Sequence, residues 1–160
     1  MLPAAAIKLA GLHNVANALA ALALGEALRL PRAAMLEELQ EFAGLPHRTE
    51  WVADVDAVRY LNDSKGTNVG ATLAAVAGLD GPLIVIAGGD GKRQDFAPLA
   101  AAFRGKVRLA VLIGRDAPTL AAVLADVCEV QQAATLESAV GLAHDAAQAG
   151  DTVLLSPACA

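Results

Sequence analysis

From residue 50 onward the chain alternates two kinds of segment, and this restricts the fold more than any other feature. Short apolar runs at 50–55, 58–61, 83–87, 107–113, 127–131 and 152–156 alternate with Ala-rich stretches of helical length at 67–78, from about 96, 117–125 and 136–149. Strands separated by such helices predict an α/β fold with a mostly parallel sheet and helices on both faces. The first two runs lie too close for a helix between them, so a tight turn at 54–57 is expected. With 56% hydrophobic but only 3% aromatic residues, Ala, Leu and Val must fill the interior.

Residues before 45 follow a different rhythm. An Ala/Leu-rich helix is expected over 14–30, and Pro31 suits the first turn of a second helix over 32–42. Gly44-Leu45-Pro46 breaks the pattern and marks a domain boundary, dividing the chain into 1–44 and 45–160. The helical pair has no sheet of its own, and the chain stops just after an expected strand. Both ends therefore read as cut from a longer protein. No internal repeat or low-complexity tract is present.

Several partner classes are disfavoured. The net charge is −5 and no basic run occurs, so nucleic acid is not an expected partner. No apolar run approaches the roughly 20 residues that cross a bilayer. Residues 1–10 lack the charged start and long apolar stretch of a signal peptide. Cys128 and Cys159 show no metal-ligand spacing and read as free thiols of a cytoplasmic protein.

Asn62-Asp63-Ser64-Lys65-Gly66-Thr67-Asn68 stands where a strand hands over to a helix. Open α/β sheets bind ligands at the carboxyl ends of their strands. An acid, a hydroxyl, a base and two amides exceed what a turn needs, and suit a ligand with hydroxyl and anionic groups. Gly88-Gly89-Asp90-Gly91-Lys92 follows a buried strand. Its backbone N–H groups and lysine could receive an anion, although an ordinary glycine-rich turn explains it equally and the Walker A spacing is absent. Asn14 and Asn17 lie three apart on one helical face. Asn14 could be an N-cap, but a second Asn is a poor helix-interior residue. Paired amides can instead meet an adenine edge through donor and acceptor together. Arg48, at the boundary, could clamp a phosphate with its planar fork, or be a solvated base beside Glu50. His47 and His144 have no partner at metal spacing and suit surface positions. Gly114-Arg115-Asp116 reads as a strand-to-helix turn capped by Asp116, with no assigned function.

Together these segments resemble the Mur ligases. His13-Asn14-x-x-Asn17, Leu45-Pro46-His47-Arg48-x-Glu50, the 62–68 segment, Gly88–Lys92 and Leu155-Ser156-Pro157-Ala158-Cys159-Ala160 occur in that family's order across nearly the whole chain. The 62–68 segment and the Ser-Pro-Ala-Cys-Ala ending resemble the branch that adds D-glutamate. Sister branches typically carry an Asp-Tyr-Ala-His type segment at the first of these sites.

The resemblance implies the end of a central ATPase domain (1–44) followed by most of a Rossmann-like C-terminal domain (45–160). It implies an ATP-dependent ligase of peptidoglycan precursor synthesis, with UDP-N-acetylmuramoyl-L-alanine and D-glutamate as substrates. The γ-phosphoryl group would pass to the substrate carboxylate, and the D-glutamate amine would attack the acyl phosphate. Asn14 and Asn17 would then lie near adenine, Arg48 near the phosphates, and Asp63 on the ribose hydroxyls. Thr67 and Lys92 would hold a D-glutamate carboxylate, with Lys65 and Asp90 nearby. Mg2+ is implied, with its ligands expected outside this chain. Gly66 replaces the family's usual alanine, a mild change by sequence. No phosphate loop or modified lysine is encoded, and the serine and phenylalanine expected after Ala160 are missing. No complete catalytic set is therefore expected, and the isolated chain should be inactive. The alternatives are a stand-alone, non-catalytic α/β binding or interaction module, and a folylpolyglutamate-synthase-like ligase.

Overall fold

A computed structural model describes residue 3, residues 6–8 and residues 12–160, with Leu12 and His13 described by backbone alone. The 1–10 stretch, expected not to be a signal peptide, falls largely outside these residues, as does the His13 side chain.

Two helices, α1 (Leu12–Ala27) and α2 (Arg32–Glu41), precede a hairpin of β1 (Glu50–Val55) and β2 (Val58–Asn62). The alternation then runs α3 (Val69–Gly78), β3 (Leu83–Gly88), α4 (Ala97–Phe103), β4 (Val107–Ile113) and α5 (Ala117–Leu124). It closes with β5 (Glu129–Gln132), α6 (Leu136–Ala146) and β6 (Thr152–Leu155). Asp56 and Ala57 take positive φ of 50° and 61°, the backbone that a two-residue hairpin turn requires. Helix α3 begins two residues later than expected, because Asn68 caps it by accepting from Ala71 N at 2.9 Å. Thr67 therefore lies outside the helix.

The six strands form one sheet in the order β1-β2-β6-β3-β4-β5, antiparallel only between β1 and β2. The chain steps outward from β3 to β5, then returns through α6 to place β6 between β2 and β3. Right-handed crossovers that reverse direction put their helices on opposite faces. Two core clusters follow, one under α3, α4 and α5 and one under α6. Every residue of β3 is buried, which explains its unbroken Leu-Ile-Val-Ile-Ala-Gly run.

The N-terminal pair is packed differently. Helix α1 contacts α2 and α3, yet α2 buries no residue, and Leu19 and Leu24 of α1 and Leu28 of the turn after it are more than 60% exposed. No helix among the described residues is long and apolar enough to cross a membrane.

Candidate functional site

The carboxyl ends of β2, β6, β3 and β4 share one edge of the sheet, and two clefts open there. The first has a volume of about 140 Å³ and is lined in part by Asn14, Asn17, Arg48, Thr49, Asp63 and Lys65. Three stretches far apart in sequence meet in it. Helix α1 starts at Leu12, so Asn14 lies inside the helix and does not cap it. Asn17 Nδ2 donates to Asn14 Oδ1 at 3.3 Å, which holds the two amides together.

Asp63 is only 7% exposed. Thr49 N donates to its Oδ1 at 3.1 Å, and Ser156 Oγ donates to its Oδ2 at 2.8 Å. A carboxylate has about four acceptor positions, so two remain for a ligand. Lys65 N donates to His47 O at 3.1 Å, drawing the turn after β2 against the Arg48 turn. Glu50 accepts from His47 N at 2.8 Å and lies 3.7 Å from His47 Nδ1. Arg48 is exposed and in no ion pair among the described residues, which fits a solvated base as well as a free phosphate clamp. The cleft thus joins acceptors for hydroxyls with two cations, Arg48 and Lys65.

Gly66 closes this turn beneath Asp63. A methyl group there would run into Asp63 Oδ2 and stand 2.7 Å from Ser156 Oγ. Alanine at 66 requires the carboxylate to move, so the departure is larger in packing than its sequence suggests.

The second cleft, about 520 Å³, lies beyond β3 and β4 and is lined in part by Asp90, Lys92, Arg93, Gln94, Arg115 and Asp116. Lys92 and Arg93 take φ of 49° and 64°, a left-handed turn fixed by Lys92 N donating to Asp90 Oδ1 at 3.0 Å. Gly89 (φ 140°) lets the 156–160 segment approach, since a Cβ there would stand 2.8 Å from Ala160 O. Asp116 does not cap α5 as expected. Its Oδ2 accepts from Gly91 N at 2.6 Å, so it braces the glycine turn instead. Arg115 Nη1 donates to Asp90 Oδ2 at 2.9 Å. Burial, helped by Asp116 and Asp90, pushes the adjoining Cys159 thiol up to about 11.

Asn14, Asn17, Arg48 and Asp63 are therefore brought together, and Lys92 with Asp90 form a separate group. Lys65 lines the first cleft rather than the second. Thr67 is exposed on the turn between and lines neither. Gln94 was not anticipated. Its Oε1 accepts from Val69 N at 3.1 Å and its Nε2 donates to Ala158 O at 3.4 Å, joining α3 to the 156–160 segment. Ser156 and Arg115 were missed as well. Both follow strands at the edge where Asp63 and Lys92 lie, which was the available signal.

A larger cleft of about 620 Å³ lies at the amino ends of β2, β3 and β6, lined in part by Asp54, Arg59, Asp80 and Asp151. Asp151 is taken up by Arg108 and Arg59 by Asp54, and ligands of open α/β sheets bind at the other edge. Volume alone does not identify the site. Among the described residues no three His, Cys, Asp or Glu side chains are grouped to hold a metal ion.

A family model described as "Mur ligase, glutamate ligase domain" matches residues 47–159. The chain is 56% identical over its whole length to UDP-N-acetylmuramoylalanine–D-glutamate ligase of Ralstonia nicotianae, covering 32% of that protein. It is 57% identical to the ligase of the same name from Nitrosococcus oceani, covering 36% of it. The chain thus spans about a third of the length of these curated relatives. Among solved structures, Mycobacterium tuberculosis folylpolyglutamate synthase complexed with ADP matches with a TM-score of 0.75 at 22% identity, over 95% of this chain and 38% of that one. UDP-N-acetylmuramate-alanine ligase from Thermotoga maritima matches with a TM-score of 0.73 at 20% identity, over 95% and 36%. These two likenesses concern the fold alone.

Proposed function

This chain belongs to the Mur ligase family through its glutamate ligase domain, and on that premise we propose that it forms part of an ATP-dependent ligase adding D-glutamate to UDP-N-acetylmuramoyl-L-alanine. The observation that carries this reading is the convergence of Asn14, Asn17, Arg48 and Asp63 on one cleft. At about 140 Å³ the cleft is below the roughly 300 Å³ at which pockets for drug-sized ligands begin. It suits part of a nucleotide, with the rest held by other surfaces. Identity of 56% to D-glutamate ligases, against 22% to a folylpolyglutamate synthase, favours D-glutamate.

In this reading residues 1–44 are the end of a central ATPase domain and residues 45–160 the amino-acid-delivering domain. The bound ATP supplies a phosphoryl group that activates the substrate carboxylate. Asp63 accepts from the ribose hydroxyls, and the Asn14 and Asn17 amides meet the adenine edge. Arg48 and Lys65 offset phosphate charge across the first cleft. Lys92, beside Asp90, receives a D-glutamate carboxylate, with the Thr67 hydroxyl a second donor on the intervening turn. Fixing that carboxylate aims the amine at the activated carbonyl, and such positioning can supply several kcal/mol of a barrier. In this reading the Mg2+ ligands belong to the part of the enzyme outside this chain.

The test is a ligase assay on the complete enzyme carrying this chain, with D-glutamate against other amino acids. D-glutamate-dependent ADP release is expected, and equal use of L-glutamate or glycine refutes the assignment. The isolated 160-residue chain, which encodes no phosphate loop, should release no ADP.

A further inference from the structure

Ser156 follows β6, whereas Asp63 follows β2, 93 residues earlier, yet the two side chains meet between adjacent strands. Ser156 is fully buried, as is Thr72 of α3. Thr72 Oγ1 lies 2.9 Å from Ser156 Oγ, and Ser156 Oγ lies 2.8 Å from Asp63 Oδ2. The direction of these bonds follows from proton counting. A carboxylate only accepts, so the single hydroxyl proton of Ser156 goes to Asp63. Ser156 Oγ is then an acceptor toward Thr72, whose hydroxyl donates to it at 2.9 Å, with Ser156 O a longer second acceptor at 3.4 Å. The result is a one-way chain from Thr72 to Ser156 to Asp63, shielded from water, in which each bond polarises the next.

This chain has a geometric consequence. Thr49 N takes a position on Oδ1 and Ser156 takes one on Oδ2, so both oxygens are anchored from the protein side. Two anchors, one on each oxygen, hold the carboxylate against rotation at the cleft that Asp63 lines. Gly66 leaves the space this needs, since a Cβ would touch both Asp63 Oδ2 and Ser156 Oγ. We infer that Ser156, oriented by Thr72, is a positioning residue for nucleotide recognition: it fixes the Asp63 carboxylate in the one orientation that accepts from ribose hydroxyls. The inference rests on the proposed nucleotide role of Asp63 and goes beyond it in assigning selectivity for the ribose to the buried hydroxyl pair.

The readout is discrimination among sugars, which a general loss of stability does not change. Dissociation constants for ATP, 2′-deoxyATP and 3′-deoxyATP are measured by calorimetry on the complete ligase and its variants. Wild type should bind ATP at least tenfold more tightly than one or both deoxy analogues. Ser156→Ala should lose most of that preference, mainly by weakening ATP, while the deoxy analogues bind nearly as before. Thr72→Val, which keeps the side-chain shape, should shift the ratio the same way by a smaller factor, and it serves if Ser156→Ala does not fold. Asp63→Ala should abolish the preference, and adding Ser156→Ala to it should change nothing further. If Asp63→Ala keeps the wild-type preference, the nucleotide role of Asp63 falls and this inference with it. If Asp63→Ala abolishes the preference but folded Ser156→Ala and Thr72→Val retain it, Asp63 stands and the positioning role is overturned. Equal weakening of all three nucleotides by Ser156→Ala, additive with Asp63→Ala, also overturns it.

Discussion

Replacing Asp151 with alanine should destabilise the fold without touching either cleft at the carboxyl edge. Asp151 precedes β6 and is 3% exposed. Its Oδ2 accepts from Arg108 Nη2 of β4 and from Gln148 N at 2.9 Å. Arg108 Nη2 also donates to Ala146 O at 2.7 Å, so the pair fastens the end of α6 to the start of β6. Breaking a buried ion pair costs about 3–5 kcal/mol. The Arg108 side chain is 34% exposed, so its orphaned charge can partly return to water and the lower end applies. Asp151→Ala should therefore lose about 3 kcal/mol, or roughly 6–12 °C in Tm for a chain of this size. Arg108→Met should cost at least as much, because it leaves the Asp151 carboxylate buried, 3% exposed, without its cation. Asp151 keeps only Gln148 N, and Ala146 O loses its donor, while removal of Arg108 Nε, a buried donor without a partner, offsets part of the loss. The double variant should lose clearly less than the sum of the two single losses, because both single changes break the same ion pair and the double leaves no orphaned charge. Urea unfolding of all four proteins gives the cycle. Additive losses, or a change below about 0.5 kcal/mol for Asp151→Ala, would refute the reasoning, since that is the scale of an ordinary surface substitution.

In a monomeric preparation of the 160-residue chain, amides of 14–42 should exchange hydrogen faster than those of the fully buried β3 strand, because α2 buries nothing. Equal protection of the two regions contradicts this. In the complete ligase, Lys92→Ala should raise the KM for D-glutamate roughly ten- to a hundredfold and lower kcat, with ATP affinity unchanged. Separate titrations decide, and a loss confined to ATP would make Lys92 a phosphate ligand instead. The Cys159 thiol, pushed up to about 11 by burial and then by Asp116 and Asp90, favours the folded state fully below its ordinary value near 9. That stability should be lost as pH rises from about 9 to 11, and Cys159→Ala should flatten the alkaline limb of a urea-midpoint profile. An unaltered limb would show that other groups set it.

The order and type of the elements were legible in the sequence because each depends on its own neighbours. The β4 run 107–113 matched its strand, and the boundaries of α2, α5 and β1 fell within a residue or two. These are local properties of periodicity, proline placement and turn chemistry. The polar turns at 62–68 and 88–92 were legible for the same reason, since an excess of functional groups after a strand shows in a short window. What each turn faces was not legible. Asp116 looked like a cap and proved to brace Gly91, a partner 25 residues away. Lys65 is three residues from Asn68 in sequence but faces the cleft of Arg48. Most of all, the last strand enters the sheet between β2 and β3, not at its edge. A parallel strand is positioned by hydrogen bonds to neighbours distant in sequence and by the hand of its crossover, and neither leaves a local trace. That insertion carries Ser156 to Asp63 and ties the 156–160 segment to both Gly66 and Asp90. Residue types set the chemistry available to each turn, and the position of β6 decides which of those groups meet.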